Sequence, residues 1–262
     1  MPTDADRLVS LAAGTILDVG PADAVTTAHE AGWPACGIWF DPGTWTDRTT
    51  ELVRTRLRDT GMIALDIEPV ILSGAGDPGD ALIDAAIELA ARYVLVASRV
   101  PPSTEVIDRF GALCDRAVDG GVTVVLEFLP IFGIGTLEQA LSVVRSAGRS
   151  NGGVLVDTLH LARSGASATE LPGVEARLLP YLQLADAPEL PPDASLPGLV
   201  DEALHGRQLL GDGRLDIASV LDTVPGVPLS FELRSRALVA AHPDPVDRAR
   251  AVLDNWRAFS RA

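Results

Sequence analysis

The sequence predicts an α/β protein built as a single closed (β/α)8 barrel, and two observations predict it. Short apolar, β-branched runs recur eight times along the 262 residues, and stretches of helical periodicity separate them. Such alternation describes βα units around a parallel sheet. Eight strands close a barrel, whereas an open doubly wound sheet usually stops at about five or six.

Taken in order, the strands are TILDVG from Thr15, CGIWF from Cys36, MIALDI from Met62, YVLVAS from Tyr93, VTVVLEF from Val122, GVLVDT from Gly153, YLQLAD from Tyr181 and LSFEL from Leu229. Between them apolar residues fall on single helical faces. Val106, Phe110, Leu113, Cys114 and Ala117 make one such face, and Leu137, Leu141 and Val144 another. Gly32, Gly61, Gly120 or Gly121, and Gly148 stand where helices end before the next strand. The last helix starts near Pro245 and lines up Val246, Ala249, Val252, Leu253 and Trp256. GPADA at Gly20 reads as a strand end followed by a proline in the first helical turn, not as a GxGxxG nucleotide fingerprint.

No linker or short internal repeat divides the chain, so residues 1–262 read as one barrel domain. One long irregular segment, about 186–213, is rich in proline and acidic residues. It follows strand seven and is expected to lie over the active-site face, because loops of that length in a compact domain are usually functional or disordered.

Hydrophobic residues make up 47% of the chain and charged residues 22%, which argues against disorder and fibrous repeats. With 36 acidic against 21 basic residues the formal charge is -15, which repels a phosphate backbone, so no nucleic-acid partner is expected. No apolar run approaches the ~20 residues needed to cross a bilayer, so no membrane partner is expected either. The start MPTDADRLVS lacks the basic flank and apolar stretch of an export signal, so the expected location is cytoplasmic. Cys36 and Cys114 sit in apolar patterns and read as reduced core residues. A homo-oligomer is compatible with all of this.

In a barrel of this kind the chemistry collects at the carboxyl ends of the strands. Strand three ends in Asp66 and Glu68, strand five in Glu127, strand six in Asp157 with His160 beyond, strand seven in Gln183 and Asp186, and strand eight in Glu232 with Arg234 beyond. Glu127 and Glu232 each interrupt an apolar strand. Burying several ionised carboxylates at one mouth, with few cations nearby, calls for a bound cation. Two glutamates, an aspartate and an amide oxygen form an oxygen-dominated shell, which suits one divalent ion, Mg²⁺ or Mn²⁺. Blander readings stand beside these. Asp157 is also a good N-cap for the helix that follows, His160 an ordinary histidine, and Glu68 either a substrate contact or a solvated strand end.

The order LEFLP, GVLVDTLH, YLQLADAP, GRQLLGDGRLDI and LSFELRS resembles the xylose-isomerase-like barrel superfamily of sugar isomerases and epimerases, and TTAHEAGWPACGIWF is similar to its first helix and second strand. The resemblance spans essentially the whole chain. It implies that Glu127, Asp157, Gln183 and Glu232 bind one divalent metal ion, and that His160 and Arg207 touch substrate. Many members carry histidine where this chain has Gln183, while the hydroxypyruvate-isomerase-like and some dehydratase branches carry glutamine. Relatives often read PGEG where this chain has Leu210, Gly211, Asp212 and Gly213.

The activity so implied is that of a metal-dependent isomerase or epimerase of a small hydroxy-carbonyl substrate, a keto-sugar or sugar acid, working through a metal-stabilised enediolate. Glu127 and Glu232 then move the proton, while His160, Arg207 and Glu68 meet the substrate. The same shell serves a dehydratase of the 3-dehydroshikimate or inosose type, with His160 as the acid. A barrel that only binds is the third reading, and an endonuclease is disfavoured by the acidic charge and the four scattered histidines.

Overall fold

Eight parallel strands pair in chain order and close on themselves, the first strand bonding to both the second and the eighth. The computed structural model describes residues 7–261. Residues 1–6, part of the stretch read above for an export signal, lie outside them. The strands are β1 (Val9–Leu11), β2 (Ala35–Trp39), β3 (Ile63–Leu72), β4 (Tyr93–Ser98), β5 (Thr123–Glu127), β6 (Gly152–Asp157), β7 (Leu182–Leu184) and β8 (Leu229–Phe231). Outside them run α1 (Pro21–Glu30), α2 (Asp47–Thr60), α3 (Gly79–Glu88), α4 (Thr104–Ala117), α5 (Leu137–Ala147), α6 (Thr158–Arg163), α7 (Leu196–His205), α8 (Ile217–Thr223), α9 (Arg236–Ala241) and α10 (Pro245–Phe259).

The helices begin and end for local reasons. Thr46, Ser103, Thr136 and Ser195 each accept a hydrogen bond from a backbone amide of the first turn of α2, α4, α5 and α7, and Asp244 accepts two at α10. Gly61 and Gly148 close α2 and α5 in the left-handed region, at φ of 70° and 67°, where a side chain would be strained.

Seven of the eight expected strands lie where the sequence puts them. The first does not. TILDVG is not a strand: Ala13–Ile16 form a buried 3₁₀ turn, and β1 precedes it. The Thr15 hydroxyl donates to the Phe231 carbonyl at 2.8 Å and accepts from the Leu233 amide at 2.9 Å, which ties the turn to the end of β8. The apolar residues there report burial rather than strand period, and a three-residue strand with a neighbour on each side leaves little sequence signal.

The irregular reading of 186–213 also needs correction, since α7 occupies its centre. The segment is fastened at both ends, by a bridge between Asp186 and Gln208 and another between Gly206 and Ser235. Asp186 is the organiser. Its carboxylate accepts from the amides of Ala187, Gly211, Gly213 and Leu215 at 2.8 to 3.1 Å, so this strand-end carboxylate shapes a loop instead of entering the site.

Two clusters of the core bear on the site. A large cluster fills the space between strands and helices, and a small one, Ala35, Leu65, Leu95, Val125, Leu155 and Tyr181, plugs the barrel interior. This plug is the floor under the site. Side chains in a strand repeat their direction every second residue, so on β5, β6 and the approach to β7 the residue two positions beyond a plug residue stands one layer higher in the barrel.

Candidate active site

That parity places the site. Val125 of the plug is followed by Glu127, Leu155 by Asp157, and Tyr181 by Gln183, while Glu232 follows Ser230 on β8. Asp157 stands in register with Gln183, and Gln183 with Ser230, so these three share one level and Glu232 lies two residues beyond it. Glu127, Asp157, Gln183 and Glu232 are all buried.

Two glycines make room for this layer. A side chain at Gly37 would start 2.6 Å from an oxygen of Asp66, and one at Gly14 would start 2.9 Å from Cγ of Glu232. Glycine in the middle of β2 is costly for a strand, and here the close approach of a carboxylate requires it.

Asp157 combines both readings that the sequence leaves open. It caps α6, its Oδ1 accepting from the His160 amide at 3.0 Å, and its Oδ2 meets Nη1 of Arg207 at 2.5 Å. The next residues of α6 bring His160 round so that Nε2 lies 4.0 Å from Oε1 of Glu127. Ligand atoms of Glu127, Asp157 and His160 all fall within 4.8 Å of one another, close enough for one ion. His160, expected to face substrate, thus stands among the candidate ligands. Arg207, expected to touch substrate, meets two carboxylates: besides Asp157 it reaches Oε2 of Glu232 at 2.9 Å. Glu68 lines the cavity above, and its Oε1 has no partner.

Charge is unevenly distributed here. Asp66, Glu68, Glu127, Asp157 and Glu232 are buried carboxylates, and of these Asp157 and Glu232 pair with the guanidinium groups of Arg207 and Arg234. Burial pushes the Glu127 carboxyl well above its ordinary range, and the charges of Asp157 and Glu232 push the same way. Glu68 is raised for the same reason, by burial and then by Asp66, Glu232 and Glu127. Asp157 differs. Burial opposes its ionisation, but Arg207 and His160 outweigh that and hold it below the usual carboxylate range. Burial lowers His160 to about 4, so its imidazole is neutral at neutral pH.

A divalent ion fits this donor set. Carboxylates outnumber the cations that face them, and both side-chain atoms of buried Gln183 lack a hydrogen-bond partner, an orphaned amide that a cation ligand position accounts for.

Above the carboxylates opens a cavity of about 480 Å³, walled by Trp39, Arg99, Ile131, Phe132 and Arg234, with Val200, Ala203 and Leu204 of α7 on one side. The segment after β7 thus supplies part of the cavity wall. Arg234 lies over the Trp39 ring at 5.4 Å and Arg99 over Phe132 at 5.3 Å.

Several residues escape sequence reasoning. Arg99 follows directly on the end of β4, a strand whose polar end drew no notice. Asp66 is recognised as a strand end but not its partner: Tyr181 donates to Asp66 Oδ2 at 2.9 Å from the plug, an interaction across 115 positions. Burial raises Asp66 to about 7 in spite of that bond. Arg163 and Glu202 form a buried fork at 2.7 Å on both arms, which ties α6 to α7. Cys36 and Cys114 are buried free thiols, each pushed up to about 12 by burial and then by a neighbouring aspartate, as core cysteines should be.

A curated 3-dehydroshikimate dehydratase of Pseudomonas aeruginosa is 28% identical over an alignment of 179 residues that covers 63% of this chain and 27% of that protein, so the chain spans about a quarter of the relative's length. Among solved structures, that of the IolI protein with a bound zinc atom superposes with a TM-score of 0.79 at 18% identity, covering 94% of this chain and 95% of that one. The D-allulose 3-epimerase of Methylomonas sp. gives a TM-score of 0.71 at 19% identity, covering 96% and 98%. At such identities the superpositions speak for the fold. The profile of the family described as "Xylose isomerase-like TIM barrel" matches residues 25–258, and the chain belongs to that family.

Proposed function

We propose that this barrel is a divalent-metal-dependent isomerase or epimerase that moves a proton next to the carbonyl of a small hydroxy-carbonyl substrate, a keto-sugar or sugar acid. The observation that carries the reading is that ligand atoms of Glu127, Asp157 and His160 fall within 4.8 Å of one another at the mouth, beside the buried carboxylate of Glu232 and the orphaned amide of Gln183. These residues, with His160, would hold the ion, Mn²⁺ or Mg²⁺ by the oxygen-rich donor set. Once bound, the ion supplies Lewis-acid polarisation of the substrate carbonyl.

The chain's own groups divide the remaining work. Glu127, held toward its protonated form by burial, is suited to carry a proton to or from carbon, and Glu232 on β8 is the second carboxylate for the other face. Neutral His160 is suited to hydrogen-bond a substrate hydroxyl. Glu68 and Arg234 face the cavity and orient substrate oxygens, while α7 excludes water. The charge of -15 keeps nucleic acid from the list of substrates. Among the described residues no helix is long and apolar enough to cross a membrane; a cytoplasmic location remains part of the proposal.

A dehydratase is the second reading. It is favoured by the Pseudomonas relative and by Arg99 and Arg234, two guanidinium groups on the cavity wall that suit a carboxylate on the substrate. The acid it needs is better supplied by Glu127 than by His160, which burial keeps neutral.

Both readings meet in one experiment. The purified chain is incubated in deuterated water with Mn²⁺ or Mg²⁺ and a panel of keto-sugars, hydroxypyruvate and dehydroshikimate-type acids. Deuterium entering beside the carbonyl without loss of water supports the isomerase. An unsaturated product replaces it with the dehydratase, and neither outcome on any compound sinks both.

A further inference from the structure

We propose that Arg207 is a tethered counter-cation of the metal site, which bridges Asp157 and Glu232 and must release them before a divalent ion can use both. The inference rests on the metal-dependent reading above. Nη1 meets Asp157 at 2.5 Å, Nη2 meets Glu232 at 2.9 Å, and Nη2 also lies 3.4 Å from Nε2 of His160. One planar fork therefore touches three of the groups around the ion position, in a way that a point charge on a flexible stem does not reproduce.

The engagement is selective. Asp157 has both oxygens in use, Oδ1 on the His160 amide and Oδ2 on Arg207. Glu232 has Oε2 on Arg207 and Oε1 3.9 Å from Arg234. The atoms near enough to share an ion are those of Glu127, Asp157 and His160, and Glu232 stands outside that set, against the guanidinium groups. Gln183 adds only a neutral amide, so the site without metal is held together by the arginine.

Release has to come from the side chain, because the backbone is pinned. Gly206 bridges Ser235, Gln208 bridges Asp186, and the Arg207 amide donates to the Arg234 carbonyl at 3.2 Å. Beyond these, Nε donates to the Ala203 carbonyl at 3.2 Å, a single bond to break on rotation. Room exists: Arg207 borders the cavity of about 480 Å³, and Glu68 on the same wall has an unpartnered Oε1 to receive a guanidinium.

An ion then competes with an internal cation. Its apparent affinity falls by the fraction of molecules whose arginine is withdrawn, so a bridged state favoured about tenfold weakens binding about tenfold. Replacement by lysine separates this exchange from simple repulsion, since lysine keeps the charge and loses the bridge.

The test uses Mn²⁺ in equilibrium dialysis at fixed salt against the full chain, Arg207→Lys and Arg207→Met, and diamagnetic Zn²⁺ for the magnetic-resonance signal. Both variants are expected to bind Mn²⁺ about tenfold tighter than the parent, and to gain more melting temperature from saturating Mn²⁺. In the parent, the Nε–Hε signal of Arg207, assigned by its loss in Arg207→Lys, is expected to shift in proportion to Zn²⁺ loading. If Arg207→Lys binds Mn²⁺ like the parent while only Arg207→Met gains, the bridge is overturned and a distant charge effect takes its place. An Nε–Hε signal unmoved at full Zn²⁺ loading overturns it without relying on any variant's folding. Absence of Mn²⁺ and Zn²⁺ binding in parent and variants alike sinks the metal reading itself, which is a different failure.

Discussion

Two adjacent layers of the same barrel obey opposite rules. The lower layer, Leu65, Leu95, Val125, Leu155 and Tyr181 with Ala35, is apolar apart from one phenol, and that phenol donates to Asp66. The upper layer holds Glu127, Asp157 and Gln183, two residues beyond Val125, Leu155 and Tyr181, with Glu232 two beyond Ser230, and it has orphaned atoms on Gln183 and carboxylates that lack enough cations. Both layers are buried. Burial of the lower one stabilises the fold, whereas burial of the upper one costs free energy and stores reactivity, the usual relation of a site to its scaffold.

The comparison can be broken at either layer. The largest effect is expected from Glu127→Gln, which removes a buried carboxyl already pushed toward its neutral form. Deuterium exchange on a turned-over substrate should fall by roughly 10²- to 10⁴-fold, while the melting temperature holds or rises. A large loss of stability in Glu127→Gln would place that residue in the scaffold and remove the contrast.

Leu155→Ala attacks the layer below. It should cost about 3 kcal/mol in urea unfolding, from lost apolar burial and the cavity left behind, with the metal stoichiometry of the folded fraction unchanged. Asp186→Ala sharpens the distinction between carboxylates at strand ends. Four amides lose their acceptor, so stability should drop by about 2 kcal/mol, with metal content unaltered by dialysis.

The smallest effect concerns Asp66, which joins the layers. Its folded pKa is raised from 3.8 to about 7, so below the unfolded value it costs nothing, and stability drains away as pH rises toward about 7. His160 works in the opposite direction, since its folded value of about 4 lies below 6.5 and stability is lost as pH falls between them. The two slopes offset each other in the native chain. Asp66→Asn removes one of the rising-pH losses and leaves those of Glu68 and Glu127 against the histidine slope, so unfolding free energy at about pH 8 relative to about pH 5 should improve over that of the parent by on the order of 1–2 kcal/mol. A pH profile parallel to that of the parent would show that Asp66 does not titrate in this range.

The long-range pairs explain most of what the sequence left unread. Glu127, Asp157, Gln183 and Glu232 are legible because each is a polar break in an apolar run, a local signal. Arg207 is legible as a residue but not in its bond, because 50 positions separate it from Asp157. Tyr181 looks like strand filling until β3 and β7 place it beside Asp66. Asp186 and Asp157 carry the same local signature, an aspartate at a strand end, yet one folds a loop and the other enters the site. Which way each carboxylate faces depends on neighbours that the local pattern does not contain.

By itself, then, the sequence determined the alternation of strands and helices, the closed eight-stranded barrel, and the polar residues at four strand ends, Glu127, Asp157, Gln183 and Glu232. These follow from periodicity, which is written in short windows. Tertiary structure alone decided that β1 precedes the Thr15 turn, that α7 covers the mouth, and that a guanidinium bridges Asp157 and Glu232. Those outcomes depend on which burial and charge costs are met by partners far away in the chain, and only closure of the barrel brings the partners together.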